Sequence, residues 1–405
     1  MTFQGTTRDS IGMSVLRGRR ALLVRTAIVA VGLLTVGCGD AMDETAQTEQ
    51  QAAGRTRDYF IAADEVEWDY APTGINQITG EPFDDVANVF VQQGPDRIGH
   101  KYIKALYREY TDGTFRRLKP RPARWEHLGF LGPVVRAVVG DTIVFHFKNN
   151  TTRPVSVHPH GVFYAKNAEG APYNDGTSGG NKADDAVPPG RTFDYRWQVP
   201  ERAGPGPMDG SSIGWMYHSH TDEVADTYAG LIGPLIVTAR GMERSDNDPT
   251  PKDIDRELYT MFEVADENQS PYLQQNIDTF AGDPGSVDPE DEEFGESNLM
   301  HSINGYVYGN QPGLTLNLNS RVRWYLMGMG TEVDIHTPHW HGNTVTSMGM
   351  RTDVAFLMPA TMLSADMRPD DPGTWLYHCH VNDHIIAGML SLYKVGNGIA
   401  PPAGP

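Results

Sequence analysis

Two short stretches of this 405-residue chain each occur twice. Val157-His158-Pro159-His160-Gly161 is echoed by Pro338-His339-Trp340-His341-Gly342, and Trp215-Met216-Tyr217-His218-Ser219-His220 by Trp375-Leu376-Tyr377-His378-Cys379-His380. Repeated segments in the same order require repeated structure, so the chain must hold two copies of one fold. His160 and His218 lie 58 residues apart, whereas His341 and His378 lie 37 apart, which places an insertion of about 21 residues in the first copy.

Inside each copy apolar residues alternate with a period of two. Ile143, Phe145 and Phe147 interleave with Thr142, Val144, His146 and Lys148; Phe193, Tyr195, Trp197 and Val199 with Thr192, Asp194, Arg196 and Gln198; and Val322, Trp324 and Leu326 with Arg321, Arg323 and Tyr325. This pattern predicts half-buried strands. The 43 glycines and 28 prolines suit a turn-rich β protein and argue against a coiled coil or a disordered chain. The expected fold class is therefore all-β, with two β-sandwich domains. A charged, proline-containing stretch from Arg244 to Lys252 divides them, giving domains 59–243 and 256–398 with a linker at 244–255.

Residues 1–37 read as an export signal. Arg17, Arg19, Arg20 and Arg25 precede an apolar run from Ala27 to Gly37, well short of the ~20 residues that span a bilayer. Leu33-Leu34-Thr35-Val36-Gly37-Cys38 resembles a lipobox with its leucine one place early, which makes Cys38 the expected lipid-anchored first residue; ordinary cleavage is the alternative. Arg19-Arg20 ahead of Ala21-Leu22-Leu23 leaves twin-arginine export open beside the Sec route. Residues 38–58 are rich in Gln, Glu, Thr and Ala and predict a flexible linker. The expected location is periplasmic or at the cell surface, with the membrane touched only through the anchor. Loss of residues 1–37, with five arginines and one aspartate, takes the formal charge from −19 to −23, which excludes an unaided nucleic-acid binder.

Ten of the 14 histidines fall in or directly beside the repeated segments. Imidazole and thiolate ligands carried on strands suit copper, whereas a zinc site would use only four of them. In His378-Cys379-His380 alternate side chains point to opposite faces, so one strand serves two centres. On the sulfur side, His336, Cys379 and His384 with Met389 supply two imidazoles, one thiolate and a weak thioether, the donor set of a blue electron-transfer copper. On the other side, His158, His160, His218, His220, His339, His341, His378 and His380 would hold a cluster. The second cysteine of the chain is Cys38, so a disulfide framework is excluded.

The pattern His336-x-x-His339-x-His341-Gly342 with His378-Cys379-His380-x-x-x-His384-x-x-x-Gly388-Met389 resembles the multicopper oxidases. That resemblance implies two cupredoxin-like Greek-key β-sandwich domains and four coppers per functional unit. Type 1 copper would sit on His336, Cys379, His384 and Met389, type 2 on His158 and His339, and the type 3 pair on His160, His218, His220, His341, His378 and His380. Oxygen would be reduced by four electrons to water. The first domain has Val155, Ser219 and Leu231 where the second has His336, Cys379 and Met389, so no type 1 copper is expected there, which also sets the chain apart from copper nitrite reductases.

Within that family the chain is similar to the ceruloplasmin and hephaestin branch, through Gly94-Pro95-Asp96-Arg97-Ile98-Gly99, Leu128-Gly129-Phe130-Leu131-Gly132-Pro133, Gly230-Leu231-Ile232-Gly233-Pro234-Leu235-Ile236, Tyr325-Leu326-Met327-Gly328-Met329-Gly330 and Val381-Asn382-Asp383-His384. Those relatives have six domains with the cluster between the first and the last. Two domains supply it only if neighbouring chains pair, which predicts a homotrimer.

The same resemblance implies a ferroxidase, with Fe(II) held by Glu296, His301 and Asp383 beside the type 1 site, and a calcium loop on the Lys166 carbonyl, Asn181, Asp184 and Asp185. Hard carboxylate oxygens favour Fe(III) over Fe(II) and drive the electron towards copper. A solvated acidic loop around Glu296 and a plain acidic turn at Asp184 are the alternatives. Laccase-like phenol oxidation remains open, as does oxidation of cuprous or manganous ions, for which Met327, Met329, Met348 and Met350 offer thioethers. A copper-storage or purely electron-transfer protein would leave eight histidines without a role. Asp222, just past His220, is a candidate proton donor, while His100, His127 and His146 have no assigned role.

Overall fold

The computed structural model describes residues 54–401. The leader, Cys38 and most of the expected 38–58 linker lie outside the described residues. The first half contains β1 (Thr56–Asp69), β2 (Lys101–Glu109), β3 (Val135–Val138), β4 (Thr142–Asn149), β5 (His158–Pro159), β6 (Thr192–Gln198), β7 (Ser212–His218) and β8 (Ile232–Thr238). A ribbon of β9 (Glu243–Ser245) and β10 (Asp248–Pro251) follows, occupying the stretch expected as a linker. The second half contains β11 (Arg256–Asp266), β12 (Leu299–Ile303), β13 (Thr315–Asn317), β14 (Val322–Gly328), β15 (Pro338–Trp340), β16 (Val345–Ser347), β17 (Met350–Thr352), β18 (Met362–Met367), β19 (Gly373–Cys379) and β20 (Leu390–Gly396). Among the described residues five short α-helices sit in the connections: α1 (Asp85–Val91), α2 (Glu223–Ala229), α3 (Leu273–Phe280), α4 (Glu292–Ser297) and α5 (Asn382–Ile386).

The repeat read from the histidines reappears in the topology. Sheet order β2-β1-β4-β6 matches β12-β11-β14-β18, and β3-β8-β7-β5 matches β13-β20-β19-β15; β16 and β17 extend the second half alone. Even the parallel pairs correspond, β1 with β4 as β11 with β14, and β3 with β8 as β13 with β20. Strand β1 begins at Thr56, three residues inside the expected linker, because pairing with β4 starts at Thr142 opposite Thr56.

Each half is a sandwich because the inward residues of its two sheets share a core. Ile61, Phe145, Phe147, Tyr195 and Trp197 of one sheet pack with Ala137, Tyr217, Leu235 and Val237 of the other. Leu258, Phe262, Trp324 and Leu326 likewise meet Trp340, Tyr377, Cys379 and Tyr393. In β6 the expected alternation holds, with Tyr195 and Trp197 buried and Asp194, Arg196 and Gln198 exposed. In β14 it does not: Arg323 and Tyr325 are buried as completely as Val322 and Trp324.

The cause is a third apolar cluster between the halves, which joins Tyr102, Phe130, Met216 and Ile236 to Tyr259, Met261, Tyr325 and Met327. The outer face of β14 is therefore an interface, and its polar groups are bonded across it. Arg323 Nη1 donates to Ser212 Oγ at 2.7 Å, and the Tyr325 hydroxyl lies 2.6 Å from the same oxygen. Arg136 of β3 donates to both carboxylate oxygens of Glu257 in β11, at 2.7 and 3.2 Å, and Lys104 forms a fully buried ion pair with Glu267. His127 has a structural role here, since its Nε2 accepts the Tyr259 N–H at 3.1 Å and burial lowers its pKa. His100 is bonded to Asp69, and His146 lies between Asp58 and Asp194, so the three histidines without an assigned role are structural.

Two consequences can be measured. Removal of one member of a buried ion pair strands the other charge, so Glu257→Ala should cost about 3–5 kcal/mol in denaturant unfolding, while Arg136→Met combined with Glu257→Leu should cost far less. Glu263 is 1% exposed, and neither of its carboxylate oxygens has a partner. Burial, reinforced by Asp334, raises its pKa from 4.5 to about 8. A raised carboxyl pKa stabilises the fold fully below the unfolded value, and that contribution is lost as pH rises through the folded value. Stability of the metal-free protein should therefore fall as the pH is raised from 4.5 to above 8, and Glu263→Gln should remove that component.

Candidate metal centre

Cys379 closes β19 with its sulfur in the core of the second sandwich, at 0% exposure. His336 stands just before β15, and His384 comes from α5, the single turn after β19. Their donor atoms converge. The two Nδ1 atoms lie 3.2 Å apart, and Cys379 Sγ is 3.5 Å from His384 Nδ1 and 3.9 Å from His336 Nδ1. Met389 is fully buried beside them, its N–H bonded to the His384 carbonyl and its carbonyl accepting the Cys379 N–H.

The surroundings prepare these atoms for a cation. His336 Nε2 lies 3.0 Å from Asp334 Oδ1, so the proton belongs on Nε2 and the Nδ1 lone pair faces the site. Asp334, itself buried, is held by the N–H groups of Val264 and Thr331 at 2.7 and 2.8 Å. Gly330 lets the loop close over it: at φ 109°, a Cβ there would stand 2.0 Å from Asp334 Oδ2. Burial opposes ionisation of Cys379, but its contacts with the His336 and His384 imidazoles and with the Thr337 and Val381 N–H groups outweigh it and lower the thiol to about 6. Two imidazoles, a ready thiolate and a buried thioether fit copper. Asp334 was not among the expected site residues. Its signal was position, two residues before His336 in Asp334-Ile335-His336.

The first half carries the same frame without the donors. Ser219 N–H bonds to the Leu231 carbonyl as Cys379 N–H does to Met389. Ser219 Oγ donates to the buried Asp226 at 2.5 Å and accepts from Ser156 N–H at 3.1 Å, and Val155 and Leu231 fill the remaining space.

The eight remaining histidines form two quartets of the same build. His158 stands opposite His218 in the β5–β7 register, as His339 does opposite His378 between β15 and β19. His160 Nε2 faces His218 Nε2 at 3.1 Å, and His341 Nε2 faces His378 Nε2 at 3.1 Å. Nδ1 of His218 and of His378 each reaches the carbonyl of the following residue, at 3.0 and 2.7 Å, which leaves Nε2 as the donor to a metal. Desolvation, with repulsion from neighbouring imidazoles, lowers His160 to about 4, His218 to about 3 and His378 to about 4, so all three are neutral and able to ligate at pH 7. Among the described residues no metal-holding group mixes the two quartets. His220 extends the first quartet with Nε2 3.2 Å from Glu223, and His380 extends the second, its ring stacked 5.2 Å from His339. Asp222 is exposed and bonded through its N–H to Asp226, so Glu223, not Asp222, is the carboxylate at His220.

Of the residues expected to hold iron, His301 is buried with its ring 5.5 Å from that of His384, and desolvation lowers it to about 4. Glu296 in α4 and Asp383 in α5 are exposed, and the three are not drawn together to ligand distance. In the insertion, Lys166 and Lys182 reach Asp175 at 3.0 Å each, and Lys182 also reaches Asp185 at 3.2 Å. Asn181 is exposed, whereas Asp184 is fully buried with Oδ1 unpartnered. Met327 and Met329 are packed in the core between the halves, and Met348 and Met350 are exposed.

Two family models, both described as multicopper oxidase, match residues 126–241 and 282–398. The chain is 48% identical over 356 residues to hephaestin from Homo sapiens, covering 87% of this chain and 30% of that protein. It is 50% identical over 344 residues to ferroxidase HEPHL1 from Homo sapiens, covering 84% and 29%, and 44% identical over 344 residues to ceruloplasmin from Mus musculus, covering 85% and 32%. The chain thus spans about 30% of the length of the curated relatives it matches. A solved multicopper oxidase structure superposes with a TM-score of 0.51 at 16% identity, over 84% of this chain and 89% of that one, a likeness of fold. Family models on both halves and close relatives along nearly all the described residues agree with the copper-type donor set, and the chain belongs to the multicopper oxidase family.

Proposed function

We propose that the protein is an exported ferroxidase, coupling oxidation of Fe(II) to reduction of oxygen: 4 Fe(II) + O2 + 4 H+ gives 4 Fe(III) + 2 H2O. The observation that carries this reading is the buried meeting of His336, Cys379 and His384 one residue away from the His378 and His380 imidazoles. Copper supplies reversible one-electron chemistry at the first position and oxygen reduction at the second.

The chain's own residues set the rest. His336, Cys379, His384 and Met389 hold type 1 copper and keep it dry. His158 and His339 hold type 2, and His160, His218, His220, His341, His378 and His380 the type 3 pair, four coppers in each functional unit. Electrons have a short covalent route from Cys379 to the imidazole on either side of it. Glu296, His301 and Asp383 hold Fe(II), with His301 against the His384 ring as the point of entry. Carboxylate ligands favour the ferric product and so the forward electron transfer. The buried, unpartnered Asp184 Oδ1 supports calcium at Asp184, Asp185, Asn181 and the Lys166 carbonyl.

One chain holds each quartet apart from the other, and the two are alike in build. A complete cluster then forms where the first domain, 59–243, of one copy meets the second, 256–398, of the next, and a homotrimer closes the ring. Lipid attachment at Cys38 would tether it outside the cytoplasm. The exposed Met348 and Met350 favour Cu(I) as a second substrate, while Met327 and Met329 are packed away.

Oxygen uptake with Fe(II), Cu(I) and a phenol separates these readings. Glu296→Ala and Asp383→Ala should each lower Fe(II) turnover about tenfold, a loss of ~1.4 kcal/mol of transition-state stabilisation, and leave phenol oxidation unchanged. Equal losses for iron and phenol would refute a dedicated iron site. In sedimentation, the copper-loaded protein should run as three copies, and a copper-loaded monomer that still reduces oxygen would sink the inter-subunit cluster.

A further inference from the structure

A groove in the first half takes no part in the reaction proposed above. It is a half-open groove of about 900 Å3 between the start of β1, the end of β2, the segment from Leu118 to Arg136 and the turn joining β9 to β10. Several of its cations are neutralised locally, as Arg55 is by Asp246 at 2.7 Å and Arg136 is by Glu257 at 2.7 Å. Arg121 and Arg124 are not, since among the described residues neither has a carboxylate oxygen within 4.0 Å.

The Arg121 guanidinium is nevertheless fixed in place. Arg121 donates to the carbonyls of Gly129 and Leu131 at 2.6 and 2.7 Å, which orient the group without neutralising it. Arg124 lies over the Trp125 ring, 5.4 Å from its centroid, and Arg136 lies 5.5 Å from the same centroid. Arg124 Nε is buried and has no partner. Desolvation, with repulsion from Arg136, lowers the Arg124 pKa against a partial offset from Asp248, so the charge is held in the fold at a cost that a bound anion would relieve. The walls beside these groups are apolar, formed by Trp68, Leu118, Pro120, Pro122, Leu128 and Val134.

These features select a ligand. A guanidinium fork matches carboxylate or phosphate oxygens, and the half-buried rings of Trp68 and Trp125 in an apolar wall match the edge or face of a flat ring. The volume is that of small-molecule sites, which run to roughly 1,000 Å3, so a half-open groove of this size fits a compact ligand. The chain's charge of −19 repels anions at long range, but over more than about 8–10 Å salt screens that repulsion. We propose that the groove binds a small aromatic molecule carrying one carboxylate or phosphate, with the anion on Arg121 and Arg124 and the ring along Trp125 and Trp68.

Calorimetric titration of the full-length, copper-loaded protein tests this with four probes. 1-Naphthoate and 1-naphthyl phosphate carry both features, 1-naphthalenemethanol lacks the charge, and inorganic phosphate lacks the ring. At least one aromatic anion should bind with Kd below about 1 mM and about tenfold more tightly than the alcohol or inorganic phosphate, and the tighter of the two names the headgroup. Arg124→Gln should weaken that binding about tenfold with an unchanged melting temperature, and Arg124→Lys, which keeps the charge but not the fork, should not restore it. Arg121→Gln should act in the same direction; if it fails to fold, Arg124→Gln decides alone. Binding of the alcohol as tight as that of the acid, binding unchanged in Arg124→Gln, or no heat from either aromatic anion overturns the proposal.

Discussion

Successive residues of an extended chain face opposite ways, and at the end of β19 this separates one sulfur from two imidazoles. Tyr377 and Cys379 enter the core of the second sandwich, while His378 points out beside His339 and His341. The register of β19 against its neighbours enforces the choice: His378 pairs with His339 on one side and with Leu390 on the other. A slip of one residue would put imidazole into the apolar core and sulfur among the histidines, with Tyr377 carried out of the core as well. The large buried rings of Tyr377, Trp340 and Tyr393 therefore do more than fill space. They lock the register on which both donor sets depend.

The two halves show how little must change for a frame to gain or lose a metal centre. Ser219 and Cys379 occupy equivalent strand ends, and their N–H groups bond to the equivalent carbonyls of Leu231 and Met389. In one half, Asp226 reaches back to close a hydrogen bond with Ser219; in the other, His336 and His384 bring their Nδ1 atoms to the Cys379 sulfur. The backbone is common to both, and the difference lies in a few side chains whose polar atoms either satisfy one another or are left facing a common point.

Local pattern carried much of this into the sequence. The four histidine segments, the strand alternation in β6 and the spacing of Cys379 and His384 all depend on residues close together along a strand or helix turn, where period and spacing have direct geometric meaning. What escaped depends on contacts between distant segments. Arg323 and Tyr325 read as an outward face because nothing in Val322 to Gly328 announces that a second sandwich will cover them. Asp334 looks like an ordinary loop aspartate until Val264 and Thr331 are seen to hold it against His336. Glu223 and Asp222 are neighbours in sequence, and only the helical turn of α2 decides which of them meets His220. His127 shows the same limit from the other side, since its partner Tyr259 lies 132 residues away.

The cluster between the halves gives the duplication a particular character. Tyr259, Met261, Tyr325 and Met327 on one side, and Tyr102, Phe130 and Met216 on the other, are as deeply buried as the residues inside either sandwich. Among the described residues, Arg136 and Lys104 are neutralised only by carboxylates from across that boundary. A half released from its neighbour would present a broad apolar face studded with unpaired charge, a surface suited to aggregation and not to solution. The repeat is a unit of pattern, visible in histidine spacing and strand order, but it is not a unit of folding: each sandwich serves as the other's solvent.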